Sequence, residues 1–146
     1  MQTTLITWGK PKLEIKKIGT TAWIELDTPV EKSTQLKTEK GEKKEAKEEG
    51  GGVVETKYNK SKYSLVFKLF VKGDAEKPIE DDDGVILDNY SIRLTPENNT
   101  LPGFIMDKSS VSVVETWTSE EGTMLEYTFD GLVPDAGKIL KRYIAG

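Results

Sequence analysis

Hydrophobic and polar residues alternate with a period of two along most of this chain, whereas helical periodicity is scarce. The longest alternating stretch runs from Lys62 to Lys72. One face of it carries Tyr63, Leu65, Phe67, Leu69 and Val71, and the other carries Ser64, Val66, Lys68, Phe70 and Lys72. At roughly 3.3 Å per residue, such a strand would reach about 35 Å. Because both faces include apolar side chains, we expect this strand to meet other groups on both sides.

Shorter alternating sets predict further strands. They are Leu13 and Ile15; Ala22, Ile24 and Leu26, with Trp23 and Glu25 opposite; Tyr90, Ile92 and Leu94; Val111, Val113 and Trp117; Leu125, Tyr127 and Phe129; and a last strand over Ile139 to Ile144. The short polar loop from Ser119 to Gly122 closes on glycine, which predicts a β-hairpin there with Gly122 at positive φ. Tryptophans on alternating strands usually pack in the core, so Trp8, Trp23 and Trp117 are expected inside.

A run of alternating charge, from Lys37 to Glu49, has no apolar face and ends in Gly50, Gly51 and Gly52. Gly41 interrupts the run, and Glu45 and Glu49 form a like-charge pair at helical spacing. The sequence therefore predicts a loop insertion over 37–52, charged and mobile, with the glycines as a hinge. Helix formation on assembly is the alternative.

Helix signals elsewhere are weak. The stretch from Asp74 to Asp82 has room for one short helical turn, limited by Pro78, and Pro134 to Gly137 predicts a turn. Together the patterns predict a mainly β protein. A length of 146 residues favours one domain over the whole chain, 1–146. A domain of this size buries roughly 70% of its unfolded surface and needs no disulfides to hold it together.

Composition narrows the classes of function. The net charge is −4, from 21 Lys and Arg residues against 25 Asp and Glu residues. That balance argues against a dedicated nucleic-acid binder and against an anionic membrane surface as partner. The chain has neither cysteine nor histidine, which leaves out thiolate chemistry and the usual catalytic triads. Met1 to Thr7 shows no signal-peptide pattern, and no apolar run approaches the roughly 20 residues of a membrane helix.

The acidic turn from Glu80 to Gly84 is the candidate for a cation site. An EF-hand loop with Gly84 at its sixth position would begin at Ile79 and end at Tyr90, and neither residue supplies a carboxylate. A solvated acidic turn is the plainer interpretation, and a looser cation site is the alternative. No carboxylate pair stands out as catalytic, and the glycines after Glu49 lack the Lys and Ser/Thr of a phosphate loop. We therefore expect no catalytic residue, cofactor, metal or small-molecule substrate.

Several segments follow one another in a suggestive order. They are Thr28-Pro29; LKTEKGEKKEA from Leu36 to Ala46; Glu48-Glu49-Gly50-Gly51; the strand Tyr63 to Phe70; Asp81-Asp82-Asp83-Gly84; and Tyr90 to Pro96, YSIRLTP. This order resembles that of the major tail tube proteins of long-tailed bacteriophages, especially the prophage type. Family members share no catalytic signature, so the resemblance rests on the order of these features over most of the chain.

The resemblance implies a β-barrel or sandwich with one short helix and a long charged loop, related in architecture to type VI secretion tube proteins. In that family, protomers form hexameric rings that stack into a hollow tube, and a long loop reaches the adjacent ring. By position, that inter-subunit loop matches 37–52, and it contains Glu39, Lys40, Lys43, Lys44, Lys47, Glu48 and Glu49, with the hinge at Gly50, Gly51 and Gly52. Lys62, Ser64, Val66, Lys68 and Phe70 would then face a neighbouring subunit or the lumen.

The leading hypothesis is therefore a structural protein without enzymatic activity, a homo-oligomer of stacked rings through which DNA passes. Its other partners would be tail proteins, and it would be made in the bacterial cytoplasm and located in the virion. The alternative is a monomeric β-sandwich that binds or adheres, for example to carbohydrate. An enzyme would need an active site built from acidic residues alone.

Overall fold

The computed structural model describes residues 5–73 and 77–144, and in this part of the chain it contains ten β-strands and no helix. The strands are β1 (Lys12–Lys17), β2 (Ile24–Glu25), β3 (Gln35–Glu39), β4 (Lys43–Lys47), β5 (Val53–Tyr58), β6 (Lys62–Phe70), β7 (Tyr90–Thr95), β8 (Gly103–Thr118), β9 (Gly122–Gly131) and β10 (Lys141–Tyr143). The prediction of a mainly β protein is confirmed.

The strands form antiparallel sheets. Eight of them make one sheet in the order β2-β1-β7-β8-β9-β6-β3, with β10 pairing to β8, and β4 and β5 form a separate two-stranded sheet. The large sheet ends at β2 on one side and at β3 on the other, so it does not close. The barrel form of the prediction is therefore wrong.

Strand β8 joins two halves of the large sheet. Its first part pairs with β7 and β10, and its second part, from Ser109 to Thr118, pairs with β9. One hydrophobic core contains side chains from both halves: Leu13, Ile15, Ile92 and Met106 from one, and Leu65, Phe67, Leu69, Val111, Val113, Leu125, Tyr127 and Phe129 from the other. Burying both inner faces in one core gives a sandwich-like arrangement.

The alternation predicted for the long strand is confirmed over β6. Leu65, Phe67 and Leu69 are buried, while the intervening side chains are half-buried or exposed. The Phe67 ring lies 5.9 Å from the Tyr127 ring and 5.7 Å from the Phe129 ring, measured between centroids. The strand ends at Phe70, so Val71 and Lys72 lie beyond it. These aromatic contacts join β6 and β9 on the inner face of the sheet.

The predicted hairpin between β8 and β9 is also confirmed. Thr118 pairs with Gly122 at the end of the ladder, and Gly122 has φ 75°. The predicted last strand is present in part, over Lys141–Tyr143, where it pairs with the start of β8. The turn residues and the alternation on both sides act together here, so local sequence determines the hairpin.

The predicted burial of the tryptophans is wrong. Trp8 is 76% exposed and Trp117 is 69% exposed. Trp23 is half-buried on the outer face, where the Arg93 guanidinium lies 4.1 Å from its ring centroid. Arg93 is held there by two hydrogen bonds of 3.0 Å that it donates to the Glu14 carboxylate. The set that includes Ala22 is likewise incomplete, because of its other members only Leu26 is buried and Ile24 is exposed.

The predicted short helix is not seen. Residues 74–76 of the proposed stretch lie outside the described part of the chain, and 77–82 form turns and a bridge to Val85. Pro78 lacks the N–H that a helix interior needs, and the Asp81 side chain hydrogen-bonds to the Gly84 backbone instead. Side-chain turn chemistry therefore replaces helical bonding in this segment.

Candidate assembly surface

The charged segment forms a projecting β-hairpin, which we call the arm and define as residues 40–61. Strand β4 pairs with β5 through Lys43 opposite Tyr58, Lys44 opposite Lys57, Glu45 opposite Thr56, Ala46 opposite Glu55 and Lys47 opposite Val53. The sequence predicts a loop over 37–52, and the loop is a wrong prediction because strands occupy much of this range. Residues 37–39 belong to β3, and most of the remainder is in β4 or the turn after it.

Ion pairs run along β4, whose one apolar residue is Ala46. The Lys43 ammonium lies 2.9 Å from the Glu45 carboxylate, and the Lys47 ammonium lies 3.8 Å from it. Residues two apart share a face of a strand, so both lysines flank Glu45 on one side of the hairpin. Residues 43–58 contain four lysines and four glutamates, so this part of the arm has no net charge.

The predicted glycine hinge is the turn at the tip of the arm. Gly50 has φ 88° and Gly51 has φ 93°, a region that L side chains rarely adopt. The Gly51 N–H donates a 3.0 Å hydrogen bond to the Glu48 carbonyl, and the Glu48 N–H donates a 2.8 Å bond to the Gly52 carbonyl. The glycines thus form the turn that closes the β4–β5 hairpin.

At its base the arm continues the β3–β6 pairing with one irregularity. The Asn59 N–H donates a 2.9 Å hydrogen bond to the Glu42 carbonyl, between the two ladders. A Cβ atom at Gly41 would lie 1.8 Å from the Asn59 carbonyl oxygen, so no other residue fits without moving the backbone. The Lys40 ammonium lies 5.1 Å from the Tyr58 ring centroid, across the same junction. Gly41 therefore allows one long hairpin to run from the core to the tip.

No side chain of β4 or β5 is buried. Val53 is 51% exposed, Val54 58% and Tyr58 53%, although such residues favour partly buried strand positions. An isolated two-stranded hairpin is marginally stable in water because nothing covers its faces. The arm is therefore a surface that would gain stability from a partner.

The outward face of β6 lies between β3 and β9. The Ser64 hydroxyl donates a 2.6 Å hydrogen bond to the Asp130 carboxylate, and the Lys68 ammonium lies 3.8 Å from the Glu126 carboxylate. Val66 is half-buried, Phe70 is 40% exposed, and Lys62 pairs with Glu39 at the end of β3. The structure thus brings the predicted set onto one sheet face, with polar side chains bonded to neighbours on β9.

Besides the outer side of the two-residue strand β2, two longer edges of the large sheet have no strand beside them in the described residues. One is the outer side of β3, which pairs only with β6. The other is the side of β8 away from β9 beyond Ser112, where the described chain supplies a single bridge, to Val85. Val114 is 57% exposed along this second edge, and Trp117 is exposed nearby. Open edges offer unpaired N–H and C=O groups to another chain.

The acidic turn is an ion-paired lid over one end of the core. The Asp81 carboxylate accepts a 2.7 Å hydrogen bond from the Gly84 N–H and lies 3.1 Å from the Lys77 ammonium, which also lies 2.9 Å from Glu115. The bond from Gly84 and the Lys77 charge hold the pKa of Asp81 below its ordinary value. Glu115 and then Asp81 raise the pKa of Lys77. The carboxylate is thus already engaged by an ammonium group.

Tyr127 anchors the same lid from below. Its hydroxyl donates a 3.2 Å hydrogen bond to the Ile79 carbonyl, and the Ile79 side chain is buried. Burial raises the pKa of Tyr127 to about 12. Among the described residues, no three acidic side chains cluster as metal ligands would. The turn that the sequence marked as a candidate cation site therefore has a structural role in this fold.

In the described part of the chain, no helix has the length and apolar character needed to cross a membrane. The chain matches no protein-family model, and no curated protein is detectably similar to it in sequence. The features of this chain that bear on its function are therefore the arm, the open edges and the exposed aromatic residues.

Proposed function

We propose that this chain is a structural, self-assembling subunit whose copies stack as rings into a hollow tube, like the major tail tube proteins of long-tailed phages. The observation that carries the proposal is the arm. It is an ordered hairpin without a buried side chain, and it exposes Val53, Val54 and Tyr58. A monomer gains nothing from projecting these residues into water, whereas a neighbouring subunit would cover them.

The two open edges support ring formation. The outer side of β3 and the free side of β8 beyond Ser112 lie on opposite flanks of the sheet path. An edge of one subunit that pairs with the other edge of the next gives a head-to-tail contact, and such contacts close into rings when the rotation permits. Strand pairing between subunits would also remove the aggregation risk of the exposed edges.

In the proposed tube, the outward face of β6 lines the lumen or contacts a neighbour. Two of its polar side chains are already paired, since Ser64 bonds Asp130 and Lys68 pairs with Glu126. A lysine that is paired with a carboxylate attracts DNA phosphates less, which would help DNA to slide past this face. The protein would then be located in the virion, with other tail proteins as partners at the ends of the tube.

The decisive experiment removes the arm without disturbing β3 and β6. Residues 40–61 are replaced by Asn-Gly, a two-residue turn suited to joining Glu39 and Lys62, which already face each other. We expect the shortened protein to keep a β-type circular dichroism spectrum, reduced by the loss of β4 and β5, and the wild-type midpoint of urea unfolding, but to form no tubes. Sedimentation velocity over a wide concentration range and negative-stain imaging measure the assembly. Tubes of normal length from the shortened protein would refute the proposal.

A second candidate function, a monomeric binding or adhesion module, is favoured by the exposed tryptophans. Trp8 is 76% exposed and Trp117 is 69% exposed, and exposed indole rings often stack on sugars. This candidate predicts a monomer at every concentration and a change in tryptophan fluorescence with some member of a glycan panel. The change should disappear in Trp8→Ala or in Trp117→Ala. Concentration-dependent assembly together with no response to any glycan would exclude it.

A further inference from the structure

A groove of about 840 Å³ lies at the end of the sheet where β3 begins. Its walls come from residues 7–11, from the loop 28–34 and from the facing ends of β7 and β8. Trp8, Pro29, Val30, Pro96 and Phe104 make it largely apolar. A cleft of this size and character suits a compact apolar ligand or a few protruding side chains.

The groove has charged side chains of both signs at its exposed rim. Its lining includes Lys10, Lys32 and Glu31, and the Glu97 carboxylate lies against Gly9 in the groove wall. These two lysines and two glutamates leave no net charge. Lys10 and Lys32 are therefore the groups that would meet carboxylates on an apolar occupant.

The tip of the arm has the complementary character. Val53 and Val54 are adjacent and exposed, and Val54 is the extra residue of a β-bulge opposite Ala46 and Lys47. Residues 47–55 contain three glutamates and one lysine, so the tip has a net charge of −2. The tip thus presents two valines with acidic side chains around them.

The arm and the groove lie at opposite ends of one strand. Thr34 lines the groove and directly precedes β3, whereas the arm begins at residue 40, directly after β3 ends at Glu39. The arm then continues the β3–β6 ladder away from the groove. The tip is therefore placed to reach the groove of another copy and not its own.

We propose that the groove receives the arm tip of a second copy of this chain, with Val53 and Val54 against its apolar walls and the tip glutamates near Lys10 and Lys32. This inference rests on the proposed function and adds the docking site to it. Because the donor and acceptor surfaces differ, the contact is head-to-tail and adds subunits without limit along one direction. That direction follows β3, so stacking would proceed along the strand axis.

The absence of cysteine from the sequence permits a direct test by disulfide trapping. The double variant Val54→Cys/Thr28→Cys places one thiol at the tip and one at the groove. The control, Val54→Cys/Glu120→Cys, places the second thiol on the exposed β8–β9 turn, outside the groove lining. Disulfides need Cα atoms within about 7 Å, so only a docked tip links efficiently. We expect a ladder of covalent oligomers that is at least about tenfold more intense than in the control.

A charge exchange provides a second readout. Lys10→Glu/Lys32→Glu and Glu48→Lys/Glu49→Lys should each raise the concentration needed for assembly by about tenfold, because like charges then meet. A mixture of the two variants should co-assemble near the wild-type concentration, through the one pairing that is complementary again. Each variant must first show the wild-type midpoint of urea unfolding.

The outcomes separate this inference from the function it rests on. Tubes from the wild type with no ladder above the control, and no rescue in the mixture, would overturn the groove as docking site and leave tube formation standing. A ladder from a protein that forms only short chains would support the docking and overturn the tube. A monomer without a ladder at any concentration would overturn both.

Discussion

The two parts of the long hairpin, β3 with β6 and β4 with β5, have the same antiparallel geometry and opposite environments. In β6, Leu65 and Phe67 have no exposed surface, whereas no side chain of β4 or β5 is buried. The β4–β5 ladder forms from mostly charged and polar residues, KKEAK and VVETKY, whereas β6 has an apolar residue at every second position. The chemistry of the alternating face decides whether a strand enters the core or is left for a partner.

Truncating one aromatic residue in β6 and one in the arm should give the largest difference in free energy of unfolding between the two parts of the hairpin. Phe67→Ala removes a fully buried ring that contacts two others, and we expect it to lower the free energy of unfolding by about 3–5 kcal/mol. The matched change in the arm, Tyr58→Ala, should cost less than about 1 kcal/mol because the ring is exposed. Urea unfolding measures both, and Phe67→Leu serves if Phe67→Ala does not fold. Equal losses would contradict the distinction.

A smaller effect is expected at Tyr127, which pairs with Phe67 across the ladder. Tyr127→Phe loses the hydrogen bond to Ile79 and should cost about 1 kcal/mol. The raised pKa of Tyr127, about 12 against an ordinary 10.0, means that its contribution is complete below pH 10 and is lost as the pH rises towards 12. Ionisation of the tyrosines can be followed by absorbance at 295 nm as the pH rises. The phase at the highest pH should be absent from Tyr127→Phe and present in Tyr58→Phe. Retention of that phase in Tyr127→Phe would assign it to another tyrosine.

Removing an ion pair beside the core should cost more stability than removing one in the arm, with a smaller difference than for the aromatic residues. Because the pKa of Asp81 is lowered from its ordinary 3.8, the stabilisation that this residue gives is complete above pH 3.8 and is lost as the pH falls further. Asp81→Asn should therefore be less stable than the wild type at pH 6, with the difference shrinking in acid. Glu45→Gln, in the exposed pair with Lys43, should change stability by at most about 1 kcal/mol. If the stability difference between the wild type and Asp81→Asn were as large at pH 2 as at pH 6, the stabilisation would not come from the Asp81 carboxylate.

The smallest effect on the core is expected from Gly41→Ala, which should nevertheless disrupt the arm. The added Cβ would meet the Asn59 carbonyl oxygen, whereas the control Gly52→Ala meets nothing within 4 Å. We expect the Asn59 amide to exchange with solvent at least about tenfold faster, while the free energy of unfolding falls by less than about 1 kcal/mol. Hydrogen exchange followed by NMR measures both quantities. Unchanged protection of Asn59 would show that the junction can adjust.

The sequence predicts best the elements that local chemistry and burial determine together. At the β8–β9 hairpin, apolar alternation on both sides and Gly122 at the turn agree, and the structure follows them. In β6, apolar residues at every second position indicate both the strand and its buried face. These signals are reliable because each residue needed for the turn or the core is in the segment itself.

The arm shows why other parts were missed. Lys and Glu have weak strand propensity, so the segment around Glu45 resembles a solvated loop. Its pairing is imposed by the ladder it extends, and only the β-branched stretch from Val53, together with the glycine turn, indicates it.

The predicted burial of Trp117 is wrong for a different reason. This residue continues the alternation of Val111 and Val113, but the lid covers the sheet only as far as Glu115, and alternation does not reveal where a core ends.

The continuity of the arm with β3 and β6 has a mechanical consequence. A pull on the tip runs parallel to β6, whose hydrogen bonds to β9 lie perpendicular to it. Such a load shears the seven residue pairs from Ser64 to Phe70 together and does not unzip them one after another. The neighbouring β3 ladder shares the load on the other side of β6. The arm, which has no buried side chain, is thus continuous with β6, and β6 is hydrogen-bonded to a neighbouring strand on each side.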